Sequence, residues 1–167
     1  MTVRRRVFAN KLSSLICETL SSYKELDFLV TISKGDLSLL PAPEDFDKFM
    51  PAVIVDPTDV YLAYSTNKSI AGSKYDFDIK YLKYYNGEYC LDVKEEAIAE
   101  GETIADVLMG DITLNSTILE EGRVIDTELV HIGFNAEESQ IFSNLELPVV
   151  VININYVIHF LSNKIRS

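Results

Sequence analysis

The sequence has no tryptophan and contains only two cysteines and two histidines among its 167 residues. Cys17 and Cys90 do not have the spacing of paired metal ligands, so the sequence offers no cysteine-based metal motif. We interpret both as reduced packing residues of a cytoplasmic protein rather than as a disulfide. Internal repeats and low-complexity segments are also missing, which favours an ordinary globular chain.

Long hydrophobic runs are missing as well. The longest, Pro148 to Phe160, is interrupted by Asn153, Asn155 and His159. It falls short of the roughly 18 apolar residues that a membrane helix needs. The amino terminus carries three arginines without an apolar block behind them, so we expect no signal peptide. The sequence therefore predicts a protein that does not use a membrane.

Motifs that carry catalysis are equally scarce, since no phosphate loop, dinucleotide fingerprint or nucleophile elbow is present. His131 and His159 lie in predicted strands, and neither forms a metal-ligand spacing. Asp76 and Asp78 share one face of a predicted strand and could hold a divalent cation, although Lys80 on that face offers charge compensation. We expect no catalytic residue, metal or cofactor, and keep a small metal-dependent enzyme as an alternative.

The net charge of −11 is unevenly distributed along the chain. Residues 86–147 carry fifteen acidic and two basic side chains, whereas the remainder has a balance of +2. Such a surface does not bind nucleic acid through its phosphates, and it repels DNA that passes nearby. It is consistent with a plain solvated face, or with an acidic binding protein that masks a basic partner in the manner of an inhibitor.

The length of the chain predicts one domain over residues 1–167. Apolar residues at helical spacing predict helices over Phe8–Tyr23 and Lys94–Met109. Alternating or β-branched stretches predict strands at Leu26–Ile32, Ala52–Val55, Val60–Tyr64, Tyr75–Tyr84, Val124–Phe134 and Val149–Leu161. The proline-punctuated segment Leu37–Phe49 and the stretch "NAEESQIFSN" are predicted to be connections, and Tyr89–Val93 is a candidate for further strand pairing.

These elements favour an α+β fold, in which one mainly antiparallel sheet is flanked by the two helices on one face. The last predicted strand places Ile152, Ile154 and Tyr156 on one side and Asn153 and Asn155 on the other. We therefore expect the second face of the sheet to be open.

The order of elements resembles a known family. An amino-terminal helix, then "PAVIVDP", a long hairpin, an acid-rich helix ("KEEAIAEGETIADVLMGDI") and two last strands ("VIDTELVHIGF" and "LPVVVININYVIHF") resemble the tail-terminator and tail-completion proteins of tailed bacteriophages and prophage particles. The resemblance covers nearly the whole chain. It implies an α+β structural protein without catalytic residues, which caps the tail tube as a homo-oligomeric ring, usually of six subunits.

The resemblance also implies partners and a location. The ring stops tube polymerisation and forms the joint to the head, so its partners are the tail tube protein and a neck or head-completion protein. DNA passes through the ring without specific binding. The protein would be assembled in the host bacterial cytoplasm and reside in the tail or neck of the virion. A neck or head-completion protein is a further alternative.

Tyrosine is abundant, and five of the nine tyrosines fall in one predicted hairpin between residues 75 and 89. Tyrosine suits surfaces that are wet in the free subunit and dry in a complex. The polar run Ser65–Lys74 beside it is longer than a tight hairpin requires. We predict a subunit or tube interface formed by Ser65, Asn67, Lys68, Lys74, Tyr75, Tyr81, Tyr84 and Tyr85.

Overall fold

The computed structural model describes residues 2–64, 71–110, 118–119 and 122–162. Its helices are α1 (Thr2–Ser21), α2 (Phe46–Phe49), α3 (Leu91–Gly110) and α4 (Ala136–Asn144). Its strands are β1 (Thr31–Lys34), β2 (Ala52–Tyr64), β3 (Ala71–Tyr84), β4 (Ile118–Leu119), β5 (Gly122–Phe134) and β6 (Val149–Ser162). Short 3₁₀ turns occupy Lys24–Leu26, Leu37–Leu39 and Pro43–Asp45. In this part of the chain no helix is long and apolar enough to cross a membrane.

The six strands form one mixed sheet in the order β1-β2-β3-β6-β5-β4. β1 pairs with β2 in parallel, and every other pairing is antiparallel. The carboxyl-terminal strand β6 lies between β3 and β5 and pairs with both along most of its length. The prediction of an α+β fold with a mainly antiparallel sheet is confirmed.

One face of the sheet, the helix-covered face, holds the main core. α1 packs over β1 and β2, while α3 packs over β5 and β6. The buried side chains of this core come from α1 (Leu12, Ile16, Leu20), from α3 (Ala97, Ile104, Ala105, Leu108) and from the alternate strand residues Val53, Val55, Tyr75, Phe77, Ile79, Tyr81, Ile152, Ile154, Tyr156, Ile158 and Phe160. The period of two in the strands and the apolar stripe of each helix therefore meet here.

Gly101 explains how closely α3 approaches the sheet. A Cβ atom placed on Gly101 would lie 2.9 Å from Cγ2 of Ile152 in β6. A glycine inside a helix costs roughly 1 kcal/mol relative to alanine. The close contact between this helix and the sheet is the reason why a residue unfavourable for the helix occupies the position.

The second face of the sheet is not wholly open, contrary to our expectation. At the end where β6 begins, Phe46 of α2 and Phe142 of α4 cover a smaller core. Their rings make an edge-to-face contact with centroids 6.3 Å apart. The strand side chains beneath them are Ala52, Ile54, Leu82, Val149 and Val151. The remainder of this face is mostly polar, with the buried Val157 among its carboxylates.

The predicted strands Ala52–Val55 and Val60–Tyr64 form one strand, β2, which continues through Pro57. The pairing of β1 with β2 stops at Val55. Pro57 therefore lies on an edge without a described neighbour, where its missing N–H costs no ladder hydrogen bond. An irregularity between Pro57 and Asp59 absorbs the local distortion.

Three other sequence-based boundaries were wrong. Residues predicted as a strand from Leu26 begin pairing only at Thr31, and Tyr89–Val93 leads into α3 rather than into a strand. The stretch "NAEESQIFSN" forms α4, because Asn135 caps the helix by accepting a hydrogen bond from the Glu138 backbone N–H at 2.9 Å. The Glu138 carboxylate accepts a hydrogen bond from the Asn135 side-chain amide in return, while the Asn135 backbone N–H donates to the carbonyl of Val151 in β6.

Candidate interaction surfaces

Two of the predicted interface tyrosines lie inside the subunit. Tyr75 and Tyr81 are 1% and 0% exposed, respectively, within the main core. The Tyr81 hydroxyl donates to Glu100 at 2.8 Å, and burial together with this contact raises the pKa of Tyr81 strongly. Lys83 pairs with the same carboxylate. We therefore assign Tyr75 and Tyr81 to the core rather than to a surface contact.

The other predicted interface residues are distributed differently. Lys74 lies over the Tyr61 ring, 5.8 Å from its centroid. Tyr84 is 37% exposed, and Tyr85 contacts Tyr89 with ring centroids 6.0 Å apart. Ser65, Asn67 and Lys68 lie outside the described residues, whereas the second half of the predicted polar loop is part of β3, which begins at Ala71. An interface role for these residues stays a prediction.

The polar part of the second sheet face carries a concentration of carboxylates, which we call the acidic face. It consists of Asp56 and Asp59 of β2, Asp76 and Asp78 of β3, Glu128 of β5 and Glu138 of α4. The strand pairing places Asp56 opposite Asp78 and Asp59 opposite Asp76. Val157 of β6 lies between Asp76 and Glu128. Lys74 and Lys80 are the basic residues among them, so negative charge predominates.

Lys80 organises one end of the acidic face. Its Nζ atom lies 2.9 Å from Oε1 of Glu138 and 3.9 Å from Oδ2 of Asp56. All three side chains are largely buried, with 12 to 22% of their surface exposed. Asn155 in β6 donates to Asp78 at 3.2 Å. Burial raises the pKa of Asp56, and Lys80 opposes that shift.

Three acceptor atoms of this region have no hydrogen-bond partner within the described part of the chain. They are Oδ1 of Asp76, Oε2 of Glu138 and Oδ1 of Asn153, and all three atoms are buried. Desolvation raises the pKa of Asp76, with Lys74 opposing it. Buried polar groups are normally paired, so these three acceptors are exceptions to that rule within the subunit.

The two histidines border the acidic face. His159 Nε2 lies 3.4 Å from the Glu128 carboxylate. The exposed His131 ring lies over Gly133, where a Cβ would come within 2.4 Å of it, so a larger residue there would displace the ring. Among the described residues, no three His, Cys, Asp or Glu side chains group as a metal site needs, and Asp76 and Asp78 have no third ligand there.

A second acidic surface, which the charge count had indicated only in outline, lies along α3. Asp92, Glu95, Glu96, Glu102 and Asp106 are all exposed on this helix. We call them the α3 acidic surface. Glu96 forms an ion pair with Lys83, and the charges of the other four side chains are hydrated and screened by salt.

β5 carries two exposed apolar residues near the edge of the sheet that is opposite β1. Its pairing with β6 is irregular between Val124 and Asp126 and again between Leu129 and His131. Ile125 and Val130 occupy these two irregularities and are 51% and 55% exposed. Bulges of this kind are typical of edge strands, which proteins protect from uncontrolled pairing. No periodicity in the sequence distinguishes these two residues from their buried neighbours.

Comparison with solved structures finds a similar fold. The chain matches one chain of the "Virion of native gene transfer agent (GTA) particle" with a TM-score of 0.54 and 14% sequence identity. The match covers 87% of this chain and 91% of that chain. No protein-family model and no curated protein matches the sequence.

Proposed function

We propose that this chain is a structural protein of a phage-like particle, and that it caps the tail tube as a ring which stops polymerisation and joins the tail to the head. The observation that carries the proposal is the fold shared with a virion chain over 87% of this chain and 91% of the other. The order of elements in the sequence supports the same role independently, because it resembles tail-terminator proteins.

The surfaces of the subunit suit such a role. A ring forms when two different patches of one subunit are complementary, so that each copy contacts the next in the same way. The subunit offers distinct surfaces on opposite sides: the acidic face on one side of the sheet, and two long helices on the other. A ring formed in this way closes without leaving an unpaired interface on any subunit.

The α3 acidic surface is our candidate for the wall of the DNA channel. Its carboxylates are exposed and hydrated, so a duplex passing nearby experiences repulsion between like charges. Counterion release, the usual source of phosphate affinity, contributes little on a surface where carboxylates outnumber the nearby Lys83 and Lys94. DNA would therefore pass such a wall without binding to it.

The oligomeric state tests the proposal. Sedimentation velocity and native mass spectrometry should give a closed species of about six subunits, each of 18.8 kDa. In a particle-producing strain, loss of the protein should give tails of uncontrolled length without heads, and the wild-type gene should restore uniform length. A subunit that stays monomeric even with purified tail tubes would overturn the proposal.

Two alternatives use the same observations differently. A neck or head-completion protein would form a ring that binds purified heads but not tail tubes, so co-sedimentation with each separates the two roles. The acidic face favours a second class, a protein that masks a basic partner. Such a protein would be a monomer or a dimer and would bind a basic protein in a salt-sensitive manner.

A further inference from the structure

We propose that neighbouring copies in the ring join by strand pairing, in which the outer edge of β5 in one copy extends the sheet of the next copy along the outer edge of β2. This inference rests on the proposed ring and deepens it. It identifies the two surfaces that join the subunits, which neither the fold nor its similarity to a virion chain specifies.

The first of these surfaces is the outer edge of β2. β1 pairs with β2 only as far as Val55, whereas β2 continues to Tyr64. Within the described part of the chain, no other strand pairs with this outer stretch. Residues 57–61 are all exposed, and among them the apolar side chains of Val60 and Tyr61 are 38% and 55% exposed.

The second surface is the outer edge of β5. β4 pairs with β5 only at Gly122 and Arg123, whereas β5 continues to Phe134. No further strand among the described residues covers this side. The exposed Ile125 and Val130 lie along the uncovered stretch. Long edges with free backbone groups and exposed apolar side chains are templates for another strand, and this sheet has one at each side.

Hydrogen bonds at the start of β2 show which of its backbone groups point outward. The Val55 carbonyl accepts from the Gly35 N–H at 2.9 Å, on the side away from β3. Val60 lies opposite Tyr75, an even number of residues along β3 from the partner of Val55. Because backbone direction alternates along a strand, the N–H and C=O of Val60 also point outward.

On β5, the hydrogen bond from the Asn135 N–H to the Val151 carbonyl gives the corresponding direction. It shows that odd-numbered residues of β6 direct their backbone groups towards β5. Leu129 and Ile132 lie opposite even-numbered residues of β6, so their own N–H and C=O groups point away from it. Both edges therefore direct backbone groups of uncharged residues away from the subunit.

The strand directions allow one copy to continue the sheet of the next. The order β2-β3-β6-β5 alternates in direction at every step, so β5 runs opposite to β2. When copies lie side by side in the same orientation, β5 of one copy meets β2 of the next as an antiparallel pair, which is the more stable pairing. Because the two edges differ, the contact is head to tail and can close into a ring.

Carboxylates near both edges restrain this pairing. Asp59 on β2 and Asp126 and Glu128 on β5 are exposed. Like charges on paired strands repel each other, and charged side chains are a common protection of an edge strand. Assembly should therefore strengthen as salt screens the repulsion. A contact made of ion pairs would show the opposite dependence.

Lysine at exposed apolar positions tests the inference. The β2-edge variant is Val60→Lys and the β5-edge variant is Val130→Lys. Leu145→Lys is the matched control, because Leu145 is 64% exposed and follows α4, which packs over the central strand β6. Val60→Pro is a second β2-edge variant, which removes one outward N–H and leaves the hydrogen bonds to β3 in place. Circular dichroism and thermal melts verify that every variant is folded.

We expect either edge variant alone to raise the concentration for half-assembly by about tenfold or more, because lysine on an edge strand opposes its pairing. Sedimentation velocity gives this concentration, and the control should assemble like the wild type. An equal mixture of the β2-edge and β5-edge variants should form a two-subunit species and no ring. In such a pair, one intact β5 edge meets one intact β2 edge, and the blocked edges remain outside.

Hydrogen exchange at single-residue resolution reports the strand pairing directly. The amides of Val60, Leu129 and Ile132 should exchange slowly in the wild-type ring, because they would be hydrogen-bonded to the neighbouring copy. In the dissociated Val130→Lys variant the same amides should exchange rapidly. The Tyr61 amide, which points towards β3, should be protected in both states and serves as the internal control.

The outcomes separate this inference from the proposed function. A wild-type protein that never assembles overturns the ring itself. A ring that persists in both folded edge variants, or one whose Val60 and Leu129 amides exchange rapidly, overturns only the contact. Loss of assembly in just one of the two edge variants would indicate two-fold pairing of like edges and also overturns it. So does wild-type assembly that weakens as salt rises.

Discussion

The two faces of the central sheet are made from the same strands but differ in nearly every physical respect. Ile154 of β6 is buried under the helices, whereas the next residue, Asn155, bonds to Asp78 on the acidic face. Tyr75 and Tyr81 are core residues, while Asp76 and Lys80 in the same strand form the polar cluster. Period-two alternation thus produces a stabilising face and a recognition face in one sheet.

The contrast shows where stability resides and where specificity resides. Burial of apolar area supplies most of the free energy of folding, and the helix-covered face contains the larger core. Half-buried carboxylates add little and oppose folding where they are desolvated. Their presence is more readily explained by a partner than by the stability of the isolated subunit. The predictions below test this division.

The largest effect should come from Ile154→Ala in the center of the helix-covered face. Removing a fully buried large side chain should lower the free energy of unfolding by about 2–5 kcal/mol. Asn155→Ala, one residue further along β6, should cost far less, because Asn155 lies on the polar face. Urea denaturation of both variants gives the comparison. Equal losses would contradict the division between the two faces.

Gly101→Ala should also destabilise, although alanine favours helices. The added Cβ would lie 2.9 Å from Cγ2 of Ile152, and overpacking of a core typically costs about 1–3 kcal/mol. Gly110→Ala is the matched control, since nothing lies within 4 Å of a Cβ at that position. Stabilisation of the Gly101 variant in thermal melts would mean that α3 can move away from the sheet at no cost.

Tyr81→Phe should have a smaller effect. The ring stays in the core, but the hydrogen bond to Glu100 is lost, and one such bond contributes about 0.5–1.5 kcal/mol net. Glu100 retains Lys83 as a partner, which limits the loss. Tyr84→Phe, at an exposed position, serves as control. Equal denaturation midpoints for wild type and Tyr81→Phe would show that the hydroxyl is better solvated than its burial indicates.

The smallest effect, and one of opposite sign, concerns Asp76→Asn. Desolvation raises the pKa of Asp76 above its ordinary value of 3.8. The folded state therefore binds the proton more tightly than the unfolded state, so this carboxyl opposes folding increasingly as pH rises through the raised pKa. Asp76→Asn should raise the melting temperature slightly at pH 7, and the gain should vanish below pH 3.8.

Asp59→Asn controls for the loss of one negative charge at a more exposed position on the same face. If Asp76→Asn lowers the melting temperature at pH 7 more than the control does, the Asp76 carboxylate has a stabilising partner. The charge of Asp76 would then favour folding rather than oppose it.

The sequence alone was sufficient for the fold class and for the long elements. The apolar stripes of α1 and α3 and the alternation in β3, β5 and β6 are local patterns, readable because residues on one side of a helix or strand share an environment. The composition also revealed the acidic bias. The bounds of these elements agree with the structure to within a few residues, except for α1, which begins six residues earlier than predicted.

Only the tertiary structure decided which residues face what. Leu82 and Tyr84 lie on the same face of β3, but Leu82 is buried in the smaller core whereas Tyr84 is 37% exposed. Lys80, Asp56 and Glu138 meet from three separate elements. Such neighbours are set by strand register and by the packing of distant segments, which are long-range properties that no local sequence pattern encodes.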